Sequence, residues 1–209
     1  MRATGPPLAV LASGQGSNFV ALATASREGR LGAHVALLAS DREDAPALAR
    51  AGEFGIPARY IAPGPRRTRL SPEAEAEFVR VLREAGVEVI LLAGFMRVLH
   101  ESFLTVFAGA VLNIHPSLLP AFPGLDAPRR ALAHGARFTG CTVHLVDEAV
   151  DGGAILAQAA VPVRSDDDEA RLVQRIHGAE HVLYPETVRR FLTVPYRLDG
   201  RRVLWEDGA

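Results

Sequence analysis

The sequence contains no lysine, one cysteine and only two asparagines among its 209 residues. The absence of lysine excludes Schiff-base chemistry on a lysine amine. It also excludes a Walker A loop, whose lysine contacts the terminal phosphates. Cys141 has no second cysteine to pair with inside the chain, which favours a reducing compartment. Both asparagines, Asn18 and Asn113, fall in segments that carry distinctive motifs.

The chain has almost no excess of charge of either sign, and long apolar runs are also scarce. The formal net charge is −1, which predicts no nucleic-acid partner. The apolar run near the N-terminus ends at Ser13 and Gly14, so it is too short for a membrane span and atypical of a signal peptide. Because 48% of the residues are hydrophobic, the chain can bury one sizeable core. We expect a cytoplasmic protein with one domain over residues 1–209.

Short apolar runs alternate with helical patterns in the first half of the chain. The predicted strands cover residues 7–13, 34–40, 58–63, 87–95 and 110–115. The predicted helices between them cover residues 17–31, 45–55 and 71–86. This alternation predicts an α/β fold with an open, mostly parallel, twisted sheet and helices on both faces.

The pattern changes after residue 115. A proline-rich stretch over 115–128 is followed by a short helix over 129–135 and by two runs, 138–147 and 154–163, that we expect to pair as strands. A long helix is predicted over 166–192, and a hairpin over 196–207 turns at Asp199 and Gly200. The C-terminal part should therefore be mixed, with a long helix.

The segment SGQGSNF follows the first predicted strand and opens the first helix. Gly14 and Gly16 permit close approach of a ligand to the backbone, and the helix N-terminus favours an anion such as a phosphate. A dinucleotide is the alternative, with Asp41 at the end of the second strand as the ribose-binding acid, although bulky Phe19 replaces the third glycine of that motif. A tight turn with a capping serine would explain the same residues without a ligand.

The segment LNIHPSLLP places Asn113 and His115 two residues apart on a strand, so both project from one face. A histidine can transfer a proton near neutral pH, and an asparagine amide can donate to an oxyanion. Asp147, Glu148 and Asp151 are candidates for tuning the histidine, and Asp151 precedes two glycines that permit a sharp turn. A purely structural histidine and a solvated turn remain the alternatives. The seven histidines form no metal-binding motif, so no metal is expected.

Four motifs together resemble the phosphoribosylglycinamide formyltransferases, a branch of the formyltransferase superfamily that works in purine biosynthesis. They are SGQGSNF, LAGFMRVL (92–99), LNIHPSLLPAFPG (112–124) and HLVDEAVDGGAILAQ (144–158), in this order, and the resemblance covers nearly the whole chain. It implies a Rossmann-like fold and two small-molecule substrates, glycinamide ribonucleotide and 10-formyltetrahydrofolate, with no metal. The substrate-binding βαβ units would lie in the N-terminal half, and the folate-binding and catalytic loops in the C-terminal half.

The resemblance also implies a role for each matched position. His115 would be the general acid or proton shuttle, Asn113 the oxyanion stabiliser, and Asp151 the group that raises the histidine pKa. The residues implied to bind glycinamide ribonucleotide are Gly16, Ser17, Asn18, His177, Gly178, Ala179 and Glu180. Those implied to bind the folate are Met96, Arg97, Val98, Leu99, Asn113, Asp147, Glu148, Ala149, Val150 and Asp151.

Three positions depart from the family pattern, at two places in the chain. Pro72 stands where members often carry a folate-binding arginine, and Arg69 is the nearest substitute. Asp126 and Pro128 stand where members often carry histidines. The alternatives are a formyltransferase-fold enzyme that acts on another amine or on water, a nicotinamide-dependent oxidoreductase, and a binding module without activity. The sequence leaves the oligomeric state open between monomer and homodimer.

Overall fold

The computed structural model of the protein describes residues 5–206, so the last residue of the predicted hairpin, Asp207, lies outside the described residues. The chain divides into two compact units, one up to Asn113 and one from Ile114. The single domain over 1–209 stays a prediction. None of the helices within residues 5–206 is long and apolar enough to cross a membrane.

The first unit is an alternation of strands and helices. Its elements are β1 (Pro7–Leu11), α1 (Ser17–Arg27), β2 (His34–Ser40), α2 (Pro46–Glu53), β3 (Ala58–Tyr60), α3 (Pro72–Glu84), β4 (Val89–Leu92), α4 (Glu101–Val106) and β5 (Val111–His115), whose last two residues belong to the second unit. The strand order is β3-β2-β1-β4-β5, and every neighbouring pair is parallel. Because parallel strands end at one edge of a sheet, the loops after β2, β1 and β4 are neighbours.

The predicted fold class is confirmed, with an open, mostly parallel sheet flanked by helices. Strand β2 has the predicted bounds, but β4 ends at Leu92 because Gly94, with φ of 71°, turns the chain. Helix α3 begins as expected, since the Ser71 side chain accepts a hydrogen bond from the Ala74 amide. Helix α4 was not predicted, because six residues are too few to establish a helical period.

The second unit is mixed, as expected. Its further elements are α5 (Ala127–Ala133), β6 (Phe138–Leu145), β7 (Ile155–Pro162), α6 (Glu169–Thr193), β8 (Tyr196–Asp199) and β9 (Arg202–Trp205). Strands β6 and β7 pair antiparallel, and β8 and β9 form the predicted hairpin. Helix α6 begins after Asp168, whose side chain accepts from the Arg171 amide, and it buries a stripe that includes Leu172, Ile176 and Tyr184.

Candidate active site

The glycine loop is held tightly against α2. Gly16 has φ of 73°, and a Cβ added to it would lie 2.7 Å from the Cβ of Ala47. The Ala47 amide also donates to the carbonyl of Gly14 at 3.2 Å. Glycine suits position 16 because it adopts the positive φ without strain and has no Cβ to collide with Ala47. Ser17 and Asn18 then form the first turn of α1, so all three residues predicted to bind phosphate lie where the helix dipole is positive.

Asp41 is buried beside this loop and is engaged inside the protein. One of its carboxylate oxygens accepts from the Ser13 hydroxyl at 2.5 Å, and the other accepts from Nε of Arg97 at 2.6 Å. The Asp41 side chain is 1% exposed. A ribose-binding acid needs a carboxylate that a ligand can reach, so this geometry argues against the dinucleotide alternative.

The segment 96–99, predicted to bind the folate, becomes more buried from its first residue to its last. The Met96 side chain is exposed, whereas Leu99 is buried. The Arg97 guanidinium is directed at Asp41 and at the carbonyls of Arg66 and Arg67. Arg97 therefore shapes this segment through its bonds within the protein, in addition to the folate contact that the resemblance implies.

Arg69, the proposed substitute for the missing arginine, lies beside that segment. Its backbone forms a parallel bridge with Val98, and the Val98 amide donates to the carbonyl of Thr68 at 2.9 Å. Pro72, at the first turn of α3, has no side-chain donor to offer. The substitution of Arg69 for the missing arginine stays a prediction.

His115 has an acceptor near each ring nitrogen. Its Nδ1 lies 3.3 Å from a carboxylate oxygen of Asp151, and its Nε2 lies 2.9 Å from the carbonyl oxygen of Phe122. A carbonyl and an ionised carboxylate only accept, so a neutral ring can donate to one of them and only the imidazolium can donate to both. His115 is buried at the end of β5, and Asn113, two residues earlier on the same strand, is half-buried.

Asp151 is aimed by a tight turn. Its φ is 52°, and its carboxylate accepts from the Gly124 amide at 2.7 Å. A Cβ on Gly153 would lie 1.8 Å from the carbonyl oxygen of Leu145, and one on Gly152 would lie 2.5 Å from the Cβ of Ala149. The two glycines therefore serve close packing rather than a positive φ of their own. Of the other predicted tuning groups, Asp147 and Glu148 are exposed, and Asp147 accepts from the Ala149 amide.

Asp151 acts on the pKa of His115 in the predicted direction, by raising it, but the net shift is downward. Burial, the largest effect, lowers the pKa of His115 below its ordinary value of 6.5, although Asp151 and the Phe122 carbonyl oppose it. Burial alone would raise the pKa of Asp151, but bonds from His144 and the Gly124 amide, with the charge of His115, bring that pKa below its ordinary value. The pair is therefore set to hold a neutral imidazole beside an ionised carboxylate near neutral pH.

His144 is a further polar group at this centre that sequence reasoning missed. It is 2% exposed on β6, and its Nε2 lies 3.6 Å from the second carboxylate oxygen of Asp151. Its Nδ1 lies 2.8 Å from the carbonyl of Leu145. Asp151 thus lies between two imidazoles. The available signal was a histidine between two apolar residues, Val143 and Leu145, three residues before Asp147.

The predicted ribose-binding group lies on α6. Glu180 is 3% exposed and continues the buried stripe of this helix, whereas Gly178 is exposed. His177 and Ala179 are intermediate in exposure, and the His177 ring stacks on that of His181 with centroids 6.2 Å apart. The charge of Glu180 contributes to the raised pKa of Tyr184, which burial mainly causes.

Asp126 and Pro128, which stand where family members often carry histidines, have structural roles at the start of α5. Asp126 caps α5 with φ of 58° and forms an exposed ion pair with Arg129 at 2.6 Å. Pro128 is buried in the first turn of that helix. Among residues 5–206, no three histidine, cysteine or acidic side chains are grouped so that they could hold a metal ion.

These features define an α/β protein with a buried histidine–aspartate pair and a glycine loop at a helix N-terminus. A family model described as formyl transferase matches residues 7–188. The chain belongs to the formyl transferase family.

Named relatives agree with this assignment. The chain is 42% identical to a phosphoribosylglycinamide formyltransferase of Bacillus subtilis, over 88% of this chain and 93% of that protein. A crystal structure of glycinamide ribonucleotide transformylase 1 from Symbiobacterium toebii matches with a TM-score of 0.92 and 44% identity, over 97% of this chain and 95% of that one. The chain is also 48% identical to a trifunctional purine biosynthetic protein of Drosophila melanogaster, over 87% of this chain but only 13% of that protein.

Proposed function

We propose that this chain transfers the formyl group of 10-formyltetrahydrofolate to the amine of glycinamide ribonucleotide. The observation that carries the proposal is the His115–Asp151 pair, with Asn113 on the same strand as His115, in a chain similar to named enzymes of this activity over most of its length. Purine biosynthesis in the cytoplasm is the expected setting. Monomer and homodimer both stay open.

The reaction needs one proton to move between two nitrogens. The amine attacks the formyl carbon, the new carbon–nitrogen bond forms, and the bond to the folate nitrogen breaks. The amine loses a proton and the folate nitrogen gains one. A neutral His115 can accept the first proton and return it, while Asp151 stabilises the imidazolium formed in between. Such acid–base help contributes typically about 10²–10⁴ in rate.

The transient oxyanion on the formyl oxygen needs a donor that is already in place. The Asn113 amide, half-buried on β5, is the proposed donor, together with the protonated ring of His115. Burial of His115 favours this role, because electrostatic interactions are stronger where water is excluded. Positioning of the two bound substrates would supply much of the remaining acceleration.

The binding assignments follow the same proposal. Gly16, Ser17 and Asn18 would hold the phosphate, and residues 177–180 would contact the ribose, where buried Glu180 can accept from hydroxyls. Residues 96–99 and 147–151, with Arg69, would hold the folate. The exposed side chains of Met96 and Val150 provide apolar surface for such a ligand.

The test is a formyl-transfer assay with both substrates on the wild type and on His115→Ala. We expect turnover in the wild type and a loss of about 10² or more in the variant. His34→Ala is the matched control, since His34 is a less buried histidine at the start of β2, and its activity should equal that of the wild type. Absence of wild-type turnover, with both ligands shown to bind, would contradict the proposed acceptor and lead to assays with other amines or water.

A further inference from the structure

Three loops at the carboxyl edge of the first unit meet in one buried polar cluster. Ser13 follows β1, Asp41 follows β2, and Arg97 follows β4. Strand β1 lies between the other two strands, so Arg97 and Asp41 meet across the end of β1. We name these three residues the loop-edge cluster.

Ser13 is the centre of the loop-edge cluster. Its hydroxyl donates to Asp41 at 2.5 Å and accepts from the backbone amide of Met96 at 2.9 Å. Its own amide donates to the carbonyl of Gly94 at 3.1 Å. Ser13 opens the glycine loop, and Met96 opens the segment proposed to bind the folate. One side chain therefore joins the two segments proposed to hold the two substrates.

Arg97 extends the cluster to a fourth segment. Its Nε donates to Asp41, and its Nη1 donates to the carbonyls of Arg66 and Arg67. These carbonyls lie just before Arg69, whose backbone pairs with Val98. The Arg97 guanidinium thus holds the segment before Arg69 against the segment that contains Val98.

Burial makes the cluster depend on all its members. The side chains of Asp41 and Arg97 are 1% and 13% exposed. A buried ion pair gains little net stability over an apolar pair, but loss of one partner leaves an uncompensated charge. The Asp41–Arg97 pair is therefore better explained as a device that fixes the positions of the loops than as a source of stability, because the bonds of Arg97 have fixed directions.

We propose that Asp41 and Ser13 are positioning residues that set the folate segment, residues 96–99, against the start of the glycine loop. The inference rests on the proposed function, because the two segments are the proposed folate and phosphate sites. Neither residue takes part in proton transfer. Disruption should therefore weaken folate binding and leave the pH dependence of kcat unchanged, since that dependence reports His115 and Asp151.

The experiment compares Asp41→Asn and Ser13→Ala with the wild type. Asp41→Asn keeps an acceptor for Ser13 but no longer neutralises Arg97. We expect kcat/KM for the folate to fall by about 10- to 100-fold, mostly through KM, because a small displacement of a binding segment is costly. Ser13→Ala should have a smaller effect in the same direction. Arg42→Ala is the matched control, since Arg42 is exposed and pairs with exposed Asp44, and its kinetics should not change.

A double variant separates positioning from simple stability. Asp41→Asn with Arg97→Gln removes both charges, so the unfolding midpoint should return toward that of the wild type. Glutamine cannot reproduce the bonds of a guanidinium to Asp41 and to two carbonyls, so KM for the folate should stay high. Recovery of both quantities together would overturn the proposal, because the cluster would then act on stability alone.

Folate binding is also measured without turnover, by calorimetry with tetrahydrofolate on the full chain. Weaker binding in Asp41→Asn, with unchanged binding in Arg42→Ala, supports the positioning role whether or not formyl transfer to glycinamide ribonucleotide occurs. Equal tetrahydrofolate affinity in the folded Asp41→Asn variant and the wild type overturns it. A failure of the proposed function would instead appear as absent wild-type transfer in the assay described above.

Discussion

Asp41 in the first unit and Asp151 in the second each have partners at both carboxylate oxygens. Asp41 is 1% exposed and contacts a hydroxyl and a guanidinium, neither of which titrates near neutral pH. Asp151 is 11% exposed and lies between the imidazoles of His115 and His144. The same residue type is thus placed once among permanent partners and once among titratable ones.

The partners determine what each carboxylate can do. A guanidinium is a planar cation that donates in fixed directions, so the bond between Arg97 and Asp41 acts as a fixed brace. An imidazole changes charge near neutral pH, so Asp151 can stabilise a cation that exists for only part of a reaction. Loss of the contacts of Asp41 should therefore lower stability. Loss of the charge of Asp151 should instead lower kcat.

The largest expected effect is on the side of Asp151. Asp151→Asn keeps the size of the side chain but removes the charge that stabilises a protonated His115. We expect kcat to fall by about 10²–10⁴, together with some loss of stability, because the lowered pKa of Asp151 means that its ionised form favours the folded state. Steady-state kinetics and a thermal unfolding curve measure the two quantities. Asp166→Asn, at an exposed aspartate paired with Arg171, should retain full activity. A fall of less than tenfold in Asp151→Asn would remove Asp151 from the proton-transfer pair.

The next effect concerns stability at Asp41. Asp41→Ala leaves the Arg97 guanidinium buried without its carboxylate, so we expect the free energy of unfolding to fall by about 3 kcal/mol or more. Asp44→Ala, which breaks an exposed pair with Arg42, should leave the denaturant midpoint where it is in the wild type. Equal denaturant midpoints for the two variants would show that Asp41 stabilises the fold no more than an exposed aspartate does.

The sequence predicts the place of Asp151 and offers Asp41 only as the ribose-binding acid of an alternative hypothesis. Asp151 precedes two glycines directly after a strand, a local pattern that indicates a turn aimed back at the strand end. Asp41 is 56 residues from Arg97, and their contact depends on β1 lying between β2 and β4. No local pattern encodes a strand order, so Asp41 suggested a ribose ligand.

The same limit applies to the electrostatics of His115. The sequence places an acid near this histidine, which predicts a raised pKa, but burial depends on the packing of the whole unit. His144 is missed for a similar reason. Its neighbours on β6, Val143 and Leu145, are apolar, and only the pairing of β6 and the turn before β7 bring that ring to Asp151.

The smallest expected effect tests the electrostatic environment of His115. Arg130 donates to the carbonyl of Pro123, its guanidinium lies 5.7 Å from the centre of the Phe122 ring, and its charge is one of the effects that lower the pKa of His115. The other charged or titratable groups that act on His115 are Asp151, which raises this pKa, and His144, which lowers it. Arg130→Gln should therefore raise the pKa of His115, measured by NMR titration of the ring.

The sign of the linked effects can be worked out. A lowered pKa means that the unfolded chain binds a proton at His115 more readily, so this group costs stability as the pH falls below its ordinary pKa of 6.5. Arg130→Gln should reduce that loss and move the acid limb of the kcat profile to higher pH, because the neutral ring is the proton acceptor. Rates at neutral pH should change by less than about fivefold, as expected for one partly solvated charge.

Arg129→Gln, at the neighbouring exposed arginine that pairs with Asp126, should leave the His115 titration unchanged. If both variants moved the titration equally, the effect would come from net charge and not from the contacts of Arg130.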